Sequence, residues 1–529
     1  MKISKSWKLI SLAMVIIMLA AMLVACGDNT ATPVPATTAA TTKAATTAAA
    51  TTAAGATTAA TTTTAAGATT AAATTAAATT AAGATTAAAA PAPTITPIPP
   101  VAQPAGSLKI TLWFGLTGAL GNVVQQTVNK YNTSQSKYYV EAIQQPDYDA
   151  TLNKFNTSQA GGSLPSVVQI YDIGTQRMID SKRVLPVQDF IDRDKLDVVS
   201  DIEPAVRNYY TVGGKLYSMP FNTSSPVMYF NKAAFKEAGL DTEKRIWTYD
   251  EVFDAAKKLT KKDSSGKVTQ YGAGFTAYSW LFEQELAIQN ALFADPNNGR
   301  ETRSSKLIFN TDTGANWPNF LKKLLDEAPA KYFGRDGGAN STARDSSFVT
   351  GESAITFNSI ANLRGYLSSA QTAGKGVDVG VAYLPRPTGA TGGVIIGGAS
   401  LWITDQGSKE QQEAAWDFVK WTSQPETQAY WSANTGYYPI RKAAYNVQDM
   451  KDTLAKYPQF QIAVDQLRAS PSGFPTAGAI FGTFISTRQN IEAAMDQLLT
   501  KGGTTKQLLD DAAKKSNEQL DEYNSTVKK

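Results

Sequence analysis

Three hydroxyl-bearing side chains follow one another in the stretch Asn222-Thr-Ser-Ser225, which stands between Pro220 and Pro226. Hydroxyl groups donate and accept hydrogen bonds, so the chemistry this stretch offers is hydrogen bonding. An apolar run of strand length, residues 227–230, follows it, and Asn231 is a good N-cap for the helix predicted next. The stretch is therefore either a hinge between two lobes, with its hydroxyls facing the gap, or an ordinary turn between neighbouring strands.

Two further candidate residues come directly after predicted strands. Asp172 ends the stretch 165–172, and Tyr148 lies in the loop that follows the predicted strand 138–143. Ligands of α/β sheets bind outside the carboxyl ends of the strands, which is where these residues are expected. Residues 392–403 form a strand interrupted by paired glycines, a pattern that marks close approach of another group to the backbone.

Composition excludes several classes of chemistry. The chain has no histidine, so histidine-based triads, general bases and metal sites are excluded, and its single cysteine excludes an internal disulfide. Removal of a leader containing three lysines and no acids would lower the formal charge from +4 to +1 (4 − 3). Near-neutral charge without a clustered basic face gives no support for nucleic-acid binding. We expect no cofactor and no metal.

The N-terminus has the form of a secretory signal, residues 1–25. A basic region is followed by the apolar run 9–24, which ends at Leu23-Val-Ala-Cys26. The small residue before the only cysteine resembles a bacterial lipobox, in which Cys26 is lipid-modified and becomes the new N-terminus. The alternative is an uncleaved membrane anchor, since the apolar run is nearly long enough to span a bilayer.

Residues 26–106 are predicted to be a disordered stalk behind the lipidated cysteine. Their composition is almost entirely Ala, Thr and Pro, with nearly no charge and no large apolar side chain to bury. The proline-rich end should be extended, polyproline-like backbone. Such a stalk would act as a tether, and Thr/Pro-rich stalks often carry O-linked glycans.

From residue 107 to residue 529 the composition is that of a globular protein. This length exceeds one comfortable core and predicts two lobes. Strands are predicted at 108–114, 138–143 and 165–172, with a helix over 120–131 between the first two. Alternation of strand and helix predicts an α/β lobe with a largely parallel sheet.

Several motifs resemble those of family 1 extracellular solute-binding proteins, the receptor subunits of ATP-driven (ABC) importers. They are Met219-Pro-Phe-Asn-Thr-Ser-Ser-Pro-Val-Met-Tyr-Phe-Asn-Lys232, Ala238-Gly-Leu-Asp241 and Trp247-Thr-Tyr-Asp-Glu251. Three further blocks are similar to the glycerol-3-phosphate-binding receptors of that class: Val168-Gln-Ile-Tyr-Asp-Ile-Gly-Thr175, Ile395-Ile-Gly-Gly-Ala-Ser-Leu-Trp402 and Thr435-Gly-Tyr-Tyr-Pro-Ile-Arg441. The resemblance extends from about residue 113 to residue 488, which is most of the globular part.

The resemblance implies the two-lobed periplasmic-binding-protein fold of type II, an α/β fold that closes over its ligand like a clam shell. The lobes of that fold are discontinuous in sequence. Here the first would comprise about 107–222 and 358–433, and the second about 223–357 and 434–529. The ranges themselves come from the resemblance and not from the hydrophobic pattern.

The resemblance also implies a set of ligand-binding residues. Tyr148 matches a tyrosine that touches the ligand, and Asp172 matches a carboxylate that accepts hydrogen bonds from glycerol hydroxyls. Ser224 matches a serine at the hinge, and Trp247 matches a residue that forms an aromatic wall. The family glutamate is replaced by the shorter aspartate at 172. The residues that hold phosphate are matched by Ser359, Gly398, Tyr437 and Arg488.

The expected function is a monomeric, lipid-anchored receptor on the extracytoplasmic face of the cell membrane. It would capture sn-glycerol 3-phosphate or a glycerophosphodiester and deliver it to the permease subunits, without being an enzyme. The alternative is a sugar or oligosaccharide receptor of the same family. A glycoside hydrolase would need paired carboxylates in one cleft. Asp147, Asp149 and Asp172 are candidates for such a pair, but no second acid is expected near the other site residues.

Overall fold

Strands and helices alternate along the part of the chain that the computed structural model describes, residues 96–372 and 377–527. The predicted signal, Cys26 and the predicted stalk as far as residue 95 lie outside these residues. No helix within the described ranges is long and apolar enough to span a bilayer.

The strands are β1 (Leu108–Phe114), β2 (Tyr138–Gln144), β3 (Val167–Tyr171), β4 (Val184–Leu185), β5 (Thr211–Val212), β6 (Lys215–Leu216), β7 (Met219–Ser224), β8 (Pro226–Asn231), β9 (Lys261–Lys262), β10 (Val268–Gln270), β11 (Gly274–Ala277), β12 (Ala294–Asp295), β13 (Lys306–Leu307), β14 (Lys331–Arg335), β15 (Ile355–Ser359), β16 (Val379–Tyr383) and β17 (Gly397–Thr404).

The helices are α1 (Gly118–Ser134), α2 (Tyr148–Ser158), α3 (Thr175–Asp180), α4 (Val187–Asp194), α5 (Pro204–Tyr210), α6 (Lys232–Glu237), α7 (Tyr249–Leu259), α8 (Ser279–Ile288), α9 (Asp312–Glu327), α10 (Gly338–Val349), α11 (Leu363–Thr372), α12 (Lys409–Thr422), α13 (Pro425–Asn434), α14 (Gln448–Lys456), α15 (Gln459–Ala469), α16 (Phe474–Ala477), α17 (Phe484–Lys501) and α18 (Thr505–Val527).

Two large sheets form the centres of two lobes. The first has the order β2-β1-β3-β17-β4, and β7 pairs with β17 beside this path. The second has the order β14-β11-β15-β8-β16. The two-lobed α/β prediction is therefore confirmed. Each sheet is mixed: β1 is parallel to β2 and β3, whereas β17 is antiparallel to β3, β4 and β7. The prediction of a largely parallel first sheet holds for only two of its five strand pairings.

The hydroxyl-rich stretch lies at the passage from one sheet to the other. Strand β7 ends at Ser224 and β8 begins at Pro226, so Ser225 alone separates strands of different sheets. Since β7 and β8 do not belong to the same sheet, the alternative of a turn between neighbouring strands is wrong. The stretch is also not a polar loop: residues 222–224 belong to β7, and all four of its residues are buried.

Sheet membership corrects two parts of the implied lobe ranges. Strand β16 pairs with β8 in the second sheet, although 358–433 was expected in the first lobe. Conversely, Tyr438 forms a bridge with Thr223, and Arg441 forms one with Ile202, so this segment lies beside the first sheet instead of in the second lobe. Strand pairing over such distances leaves no local trace in the sequence, which explains both differences.

Several local signals act as expected. Asn231 caps α6 by accepting hydrogen bonds from the backbone of Ala233 and Ala234. Helix α7 begins at a capping box formed by Thr248 and Glu251. One boundary differs: residues 96–106, predicted as the end of the stalk, contact the globular part. The Tyr139 hydroxyl, for example, donates to the Val101 carbonyl at 3.0 Å.

Candidate ligand-binding cleft

A cleft of about 400 Å³ lies between the two lobes, within the usual size range of small-molecule sites, about 300–1,000 Å³. Both lobes contribute side chains to its walls. Seven of the eight predicted ligand-binding residues line it: Tyr148, Asp172, Ser224, Ser359, Gly398, Tyr437 and Arg488. The structure thus brings together residues that are up to 340 positions apart in sequence (488 − 148).

The first-lobe wall is built at the strand ends where the sequence predicts it. Asp172 follows β3 directly, and Tyr148 begins α2 after β2. The Tyr148 hydroxyl accepts a hydrogen bond from the Asn222 side chain at 2.8 Å and lies 3.4 Å from the Tyr437 hydroxyl. The Tyr148 ring stacks on Tyr171 with 5.3 Å between centroids. This network fixes the two tyrosine hydroxyls at the floor of the cleft.

Gly398 allows close approach of two strands. It has φ +103°, and a Cβ at this position would lie 1.9 Å from the Asn222 carbonyl oxygen. Glycine is therefore required for β17 to pair with β7. The close approach expected from the paired glycines is present, and the group that approaches is the chain's own backbone.

Ser359 ends β15 on the second-lobe wall. Its hydroxyl accepts a hydrogen bond from the backbone N–H of Ala361 at 3.2 Å, so it caps a short 3₁₀ turn. The Ser359 carbonyl accepts from the Tyr229 hydroxyl at 2.8 Å. The side chain keeps its hydroxyl hydrogen available, because capping uses only the oxygen as acceptor.

Arg488 on α17 is held by two carboxylates. Its Nε and Nη2 donate to the Glu283 carboxylate at 2.5 and 2.9 Å, in a bidentate arrangement. Nη2 also lies 3.4 Å from Asp172 Oδ2, across the cleft. Glu283 and Asp172 are nearly inaccessible, with side chains 7% and 6% exposed. Sequence reasoning missed Glu283 entirely.

Burial dominates the protonation of this group of residues. It raises the pKa of the Glu283 carboxyl to about 7, although the Arg488 guanidinium acts in the opposite direction. Burial also raises the pKa of Asp172, again against the effect of Arg488. Burial lowers the pKa of Arg488, but the Glu283 and Asp172 carboxylates outweigh it and the net shift is upward. Arg488 therefore carries its charge at every physiological pH.

A second arginine, Arg344, lies on the second-lobe wall in a similar arrangement. Its Nη1 contacts Asp336 at 2.5 Å, and its Nε and Nη2 both lie 2.9 Å from Asp345 Oδ1. The Tyr366 hydroxyl also donates to Asp345, at 2.5 Å. Arg344, Asp336 and Asp345 all line the cleft, and none of them was predicted.

The expectation that the other site residues have no further acid near them is therefore wrong. With Glu283 behind the wall, four carboxyl groups accompany two guanidinium groups, and each acid is paired with one of these arginines. The cleft thus has no surplus of positive charge.

Trp247 does not line the cleft. It is 4% exposed, its Nε1 donates to the Lys244 carbonyl at 2.9 Å, and its ring packs edge-on against Phe235. The residue predicted as the aromatic wall is therefore a core residue of the second lobe. Tyr278 and Trp280 supply aromatic surface to the cleft instead.

One signal in the sequence could have indicated Glu283. Helix α8 reads SWLFEQELAI, and all ten of its residues are buried. A charged residue inside an apolar helix without a polar face requires a partner. No comparable signal exists for Arg344, which stands on a helix of mixed composition.

Two lobes around a polar cleft define a solute-binding protein, and the comparison with family models agrees. Residues 126–462 match the family described as bacterial extracellular solute-binding protein, so the match covers more than half of the chain. The chain belongs to this family.

Among its relatives is the sn-glycerol-3-phosphate-binding periplasmic protein UgpB of Escherichia coli K12. The two are 30% identical over 429 residues, which is 79% of this chain and 94% of that protein. The crystal structure of UgpB from Mycobacterium tuberculosis in complex with glycerophosphocholine is similar in fold. Its TM-score is 0.65 at 22% identity, covering 79% of this chain and 100% of that one.

Sugar-binding proteins share the fold as well. The maltose-bound MalE3 of T. maritima gives a TM-score of 0.63 at 20% identity, over 78% of this chain and 100% of that chain. These relatives are substrate-binding proteins, which places the chain in the class of importer receptors that bind small solutes.

Proposed function

We propose that this protein is the receptor of an ABC importer for a glycerol phosphate, either sn-glycerol 3-phosphate or a glycerophosphodiester. The observation that supports this proposal most is the position of Arg488, a permanently charged donor that lines the cleft together with the hydroxyl groups of Ser224, Ser359 and Tyr437. The name of the Escherichia coli relative supports the same ligand class.

The chemistry of the cleft suits such a ligand. A phosphate removed from water needs charge-assisted donors, which Arg488 supplies, and the hydroxyls of Ser224, Ser359 and Tyr437 can donate to further oxygens. Glycerol hydroxyls are donors, and Asp172 is the carboxylate placed to accept from them. Closure of the lobes about Ser225 would enclose the ligand, and reopening would release it to the permease.

The location and assembly of the protein are part of the proposal. Cys26 carries the lipid anchor, residues 27–95 form the tether, and the receptor acts as a monomer on the extracytoplasmic face of the membrane. It is a carrier without catalytic activity, since each carboxyl of the cleft is engaged by an arginine, whereas a glycosidase needs a free acid and base.

A sugar receptor is the second candidate, and one observation favours it. Aromatic rings of Tyr148, Tyr278, Trp280 and Tyr437 line the cleft together with neutralised arginine–carboxylate pairs, a surface suited to hydroxyls and to stacking of sugar rings. The sugar-bound structural neighbours agree with this only at the level of fold.

Thermal-shift screening distinguishes the candidates. The chain from residue 27 onward is screened with sn-glycerol 3-phosphate, glycerophosphocholine, maltose and trehalose, alongside a chromogenic glycosidase assay. A ligand at a hundred times its Kd stabilises the folded state by about 2.7 kcal/mol, which is readily measured. Stabilisation by a phosphate compound and by neither sugar supports the proposal. Stabilisation by a sugar alone rejects it in favour of the second candidate, and glycosidase activity rejects both.

A further inference from the structure

The geometry of Arg488 limits what it can offer to a ligand. Its Nε and Nη2 are engaged by Glu283, and Nη2 faces Asp172 in addition. Of the guanidinium hydrogens, those of Nη1 are left for a ligand. The Nε/Nη2 edge, one of the two edges that can form a bidentate fork with a phosphate, is occupied by Glu283, and on the other edge Asp172 competes for Nη2.

The charges around Arg488 also disfavour a doubly charged ligand. Two carboxyl groups, Glu283 and Asp172, accompany one guanidinium, and the Arg344 group, which also belongs to the second lobe, repeats this ratio with Asp336 and Asp345. A ligand with two negative charges would add to an excess of like charge in a site of low dielectric. A ligand with one negative charge, or a neutral one, avoids most of that cost.

We propose that Glu283 is a specificity-determining residue that makes the cleft select a phosphodiester, with one negative charge, over a phosphomonoester dianion. This inference rests on the proposed function and narrows its ligand class. Glu283 acts through Arg488: it occupies the guanidinium fork and cancels its charge. A phosphodiester presents two unesterified oxygens and a single charge, so the Nη1 hydrogens together with the hydroxyls of Ser224 and Ser359 suffice for it.

Calorimetry with two probes tests the inference at pH 8, where a phosphomonoester is a dianion because its second pKa is about 6. Wild-type protein is expected to bind glycerophosphocholine at least about tenfold more tightly than sn-glycerol 3-phosphate. Glu283→Gln keeps the shape of the side chain and removes its charge, so this ratio should fall by about tenfold or more. Glu283→Asp keeps the charge and should preserve the preference for the diester.

Glu285→Gln is the matched control. Glu285 is equally buried on α8 but pairs with the Tyr249 hydroxyl instead of Arg488, so its neutralisation should leave the ratio unchanged. A wild-type preference for the monoester, or an equal ratio in wild type and Glu283→Gln, overturns the inference while leaving the proposed function intact. Failure of both phosphate probes to bind, with a sugar bound instead, overturns the proposed function and the inference with it.

A second, independent observation concerns the residues that precede the first strand. Two asparagines on α1 each form a reciprocal pair of hydrogen bonds with this segment. Asn122 accepts from the Ile98 N–H at 3.2 Å and donates to the Thr96 carbonyl at 2.8 Å. Asn129 accepts from the Val101 N–H at 3.2 Å and donates to a proline carbonyl at 2.9 Å.

The spacing of the two asparagines matches the form of the segment. They are separated by about two helical turns, so they lie on the same face of α1. Polyproline-like backbone has no internal hydrogen bonds, so its N–H and C=O groups are free for side chains. Such a pair of amide clamps recognises backbone and fixes the direction of the segment along the helix.

The structure assigns to Asn122 and Asn129 the role of a clamp that fixes where the tether joins the body. The clamped segment runs from Asn122 towards Asn129, so Thr96 lies near the start of α1. The tether therefore joins the body at Thr96, twelve residues before the first strand begins at Leu108 (108 − 96).

Hydrogen exchange measured on a peptide of residues 96–101 tests this role. Three of its residues are prolines without an N–H, so its signal comes from the amides of Ile98 and Val101, the two that are clamped. Both amides should exchange slowly in the wild type. They should exchange about tenfold faster or more in Asn122→Ala/Asn129→Ala, because each lost hydrogen bond contributes a factor of about 2–13.

Asn153→Ala, an exposed asparagine on α2, is the matched control and should leave the exchange of this peptide unchanged. Ligand affinity should be the same in all three proteins, because the clamp does not touch the cleft. Fast exchange of both amides in the wild type, or equal exchange in wild type and the double variant, overturns the inference.

Discussion

Arg488 and Asp172 belong to different lobes, and their side chains approach to 3.4 Å across the cleft. Arg488 stands on α17, which packs against the second sheet, whereas Asp172 directly follows β3 of the first sheet. Both side chains are largely buried, so their attraction is little screened by solvent or salt. This pair therefore connects the first-lobe wall and the second-lobe wall of the cleft, and a ligand must enter between them.

Weakening this pair should open the lobes. In Asp172→Asn the charge-assisted contact with Arg488 is lost, so the ligand-free variant is expected to have a larger radius of gyration than the wild type in small-angle scattering. Saturating ligand should compact both proteins, since lobe closure is absorbed by few residues at a hinge such as Ser225. Asp197→Asn, on the surface of the first lobe, is the control. Scattering curves unaffected by ligand, with binding measured separately, would contradict closure.

The same two residues separate a phosphate ligand from a sugar. For a phosphate, Arg488→Ala should cost about 2–5 kcal/mol of binding free energy, roughly thirty- to several-thousand-fold in affinity. Asp172→Asn should cost less, because the only ligand contacts it weakens are those to hydroxyls. For a neutral sugar the order should invert.

Calorimetry on the two variants with the best ligand from the screen measures this order. Arg488→Ala also leaves Glu283 and Asp172 without their partner, so its folding must be verified by denaturation before its affinity is interpreted. Wild-type affinity in a folded Arg488→Ala variant would reject the phosphate assignment.

Stability should depend on pH through Glu283. Because burial raises its pKa from 4.5 to about 7, the folded protein keeps a proton that the unfolded chain has released. Its contribution to stability is full below pH 4.5 and is lost as pH rises through 7. Glu283→Gln mimics the protonated form, so its stability relative to the wild type should rise by about 2–3 kcal/mol between pH 5 and pH 8.

Denaturant unfolding of both proteins at the two pH values provides the measurement. The charged groups that influence Glu283, namely Arg488, Asp172 and Glu492, are present in both proteins, so the difference isolates the substituted residue. The exposed substitution Glu327→Gln should show no such trend. A stability difference that is independent of pH would contradict the raised pKa.

Local patterns in the sequence predict the elements well. Helix α6 was expected to begin after its N-cap Asn231, and β1 was expected over 108–114 from alternation of apolar and polar residues; both are found there. The position of Asp172 at the cleft follows from the rule that ligands bind at the carboxyl ends of strands. In each of these correct predictions, the residues that indicate the structure lie within about ten positions of one another.

Pairing between distant segments could not be predicted in the same way. Strand β16 would be as apolar in either sheet, and only its hydrogen bonds with β8 decide its lobe. Glu283 and Arg488 stand 205 residues apart, and their contact depends on how α8 and α17 pack. Trp247 was assigned to the cleft by resemblance, whereas its ring packs against Phe235 in the core of the second lobe.

Membrane attachment through Cys26 is a further prediction, motivated by the lipobox-like Leu-Val-Ala-Cys sequence. Cys26→Ser should remove the lipid and release the mature-sized protein, or leave an unprocessed precursor with its leader. Fractionation of expressing cells, with the protein detected by antibody and its N-terminus determined by mass spectrometry, provides the measurement. Lys43→Arg in the same region is a control without effect on anchoring. A variant of mature size that remains membrane-bound through a lipid would reject this attachment.

Two tryptophans should respond in opposite ways to the same substitution. Within the described residues, Trp280 Nε1 has no hydrogen-bond partner, and its ring lines the cleft, held against Gly397. Trp247 Nε1 donates to the Lys244 carbonyl in the core. Because its ring lines the cleft, Trp280→Phe should weaken ligand binding by about 2–13-fold through loss of aromatic contact with the ligand, with little change in stability.

Trp247→Phe should leave affinity at the wild-type value and lower the free energy of unfolding by about 1 kcal/mol, since it removes a hydrogen bond of the core. Calorimetry and denaturant unfolding of both variants, each a Trp→Phe change, measure the two effects side by side. The aromatic wall of the cleft is assigned to Trp280 on geometry, whereas the family motif assigns it to Trp247. A loss of affinity in Trp247→Phe with none in Trp280→Phe would therefore restore the motif-based assignment and reject the geometric one.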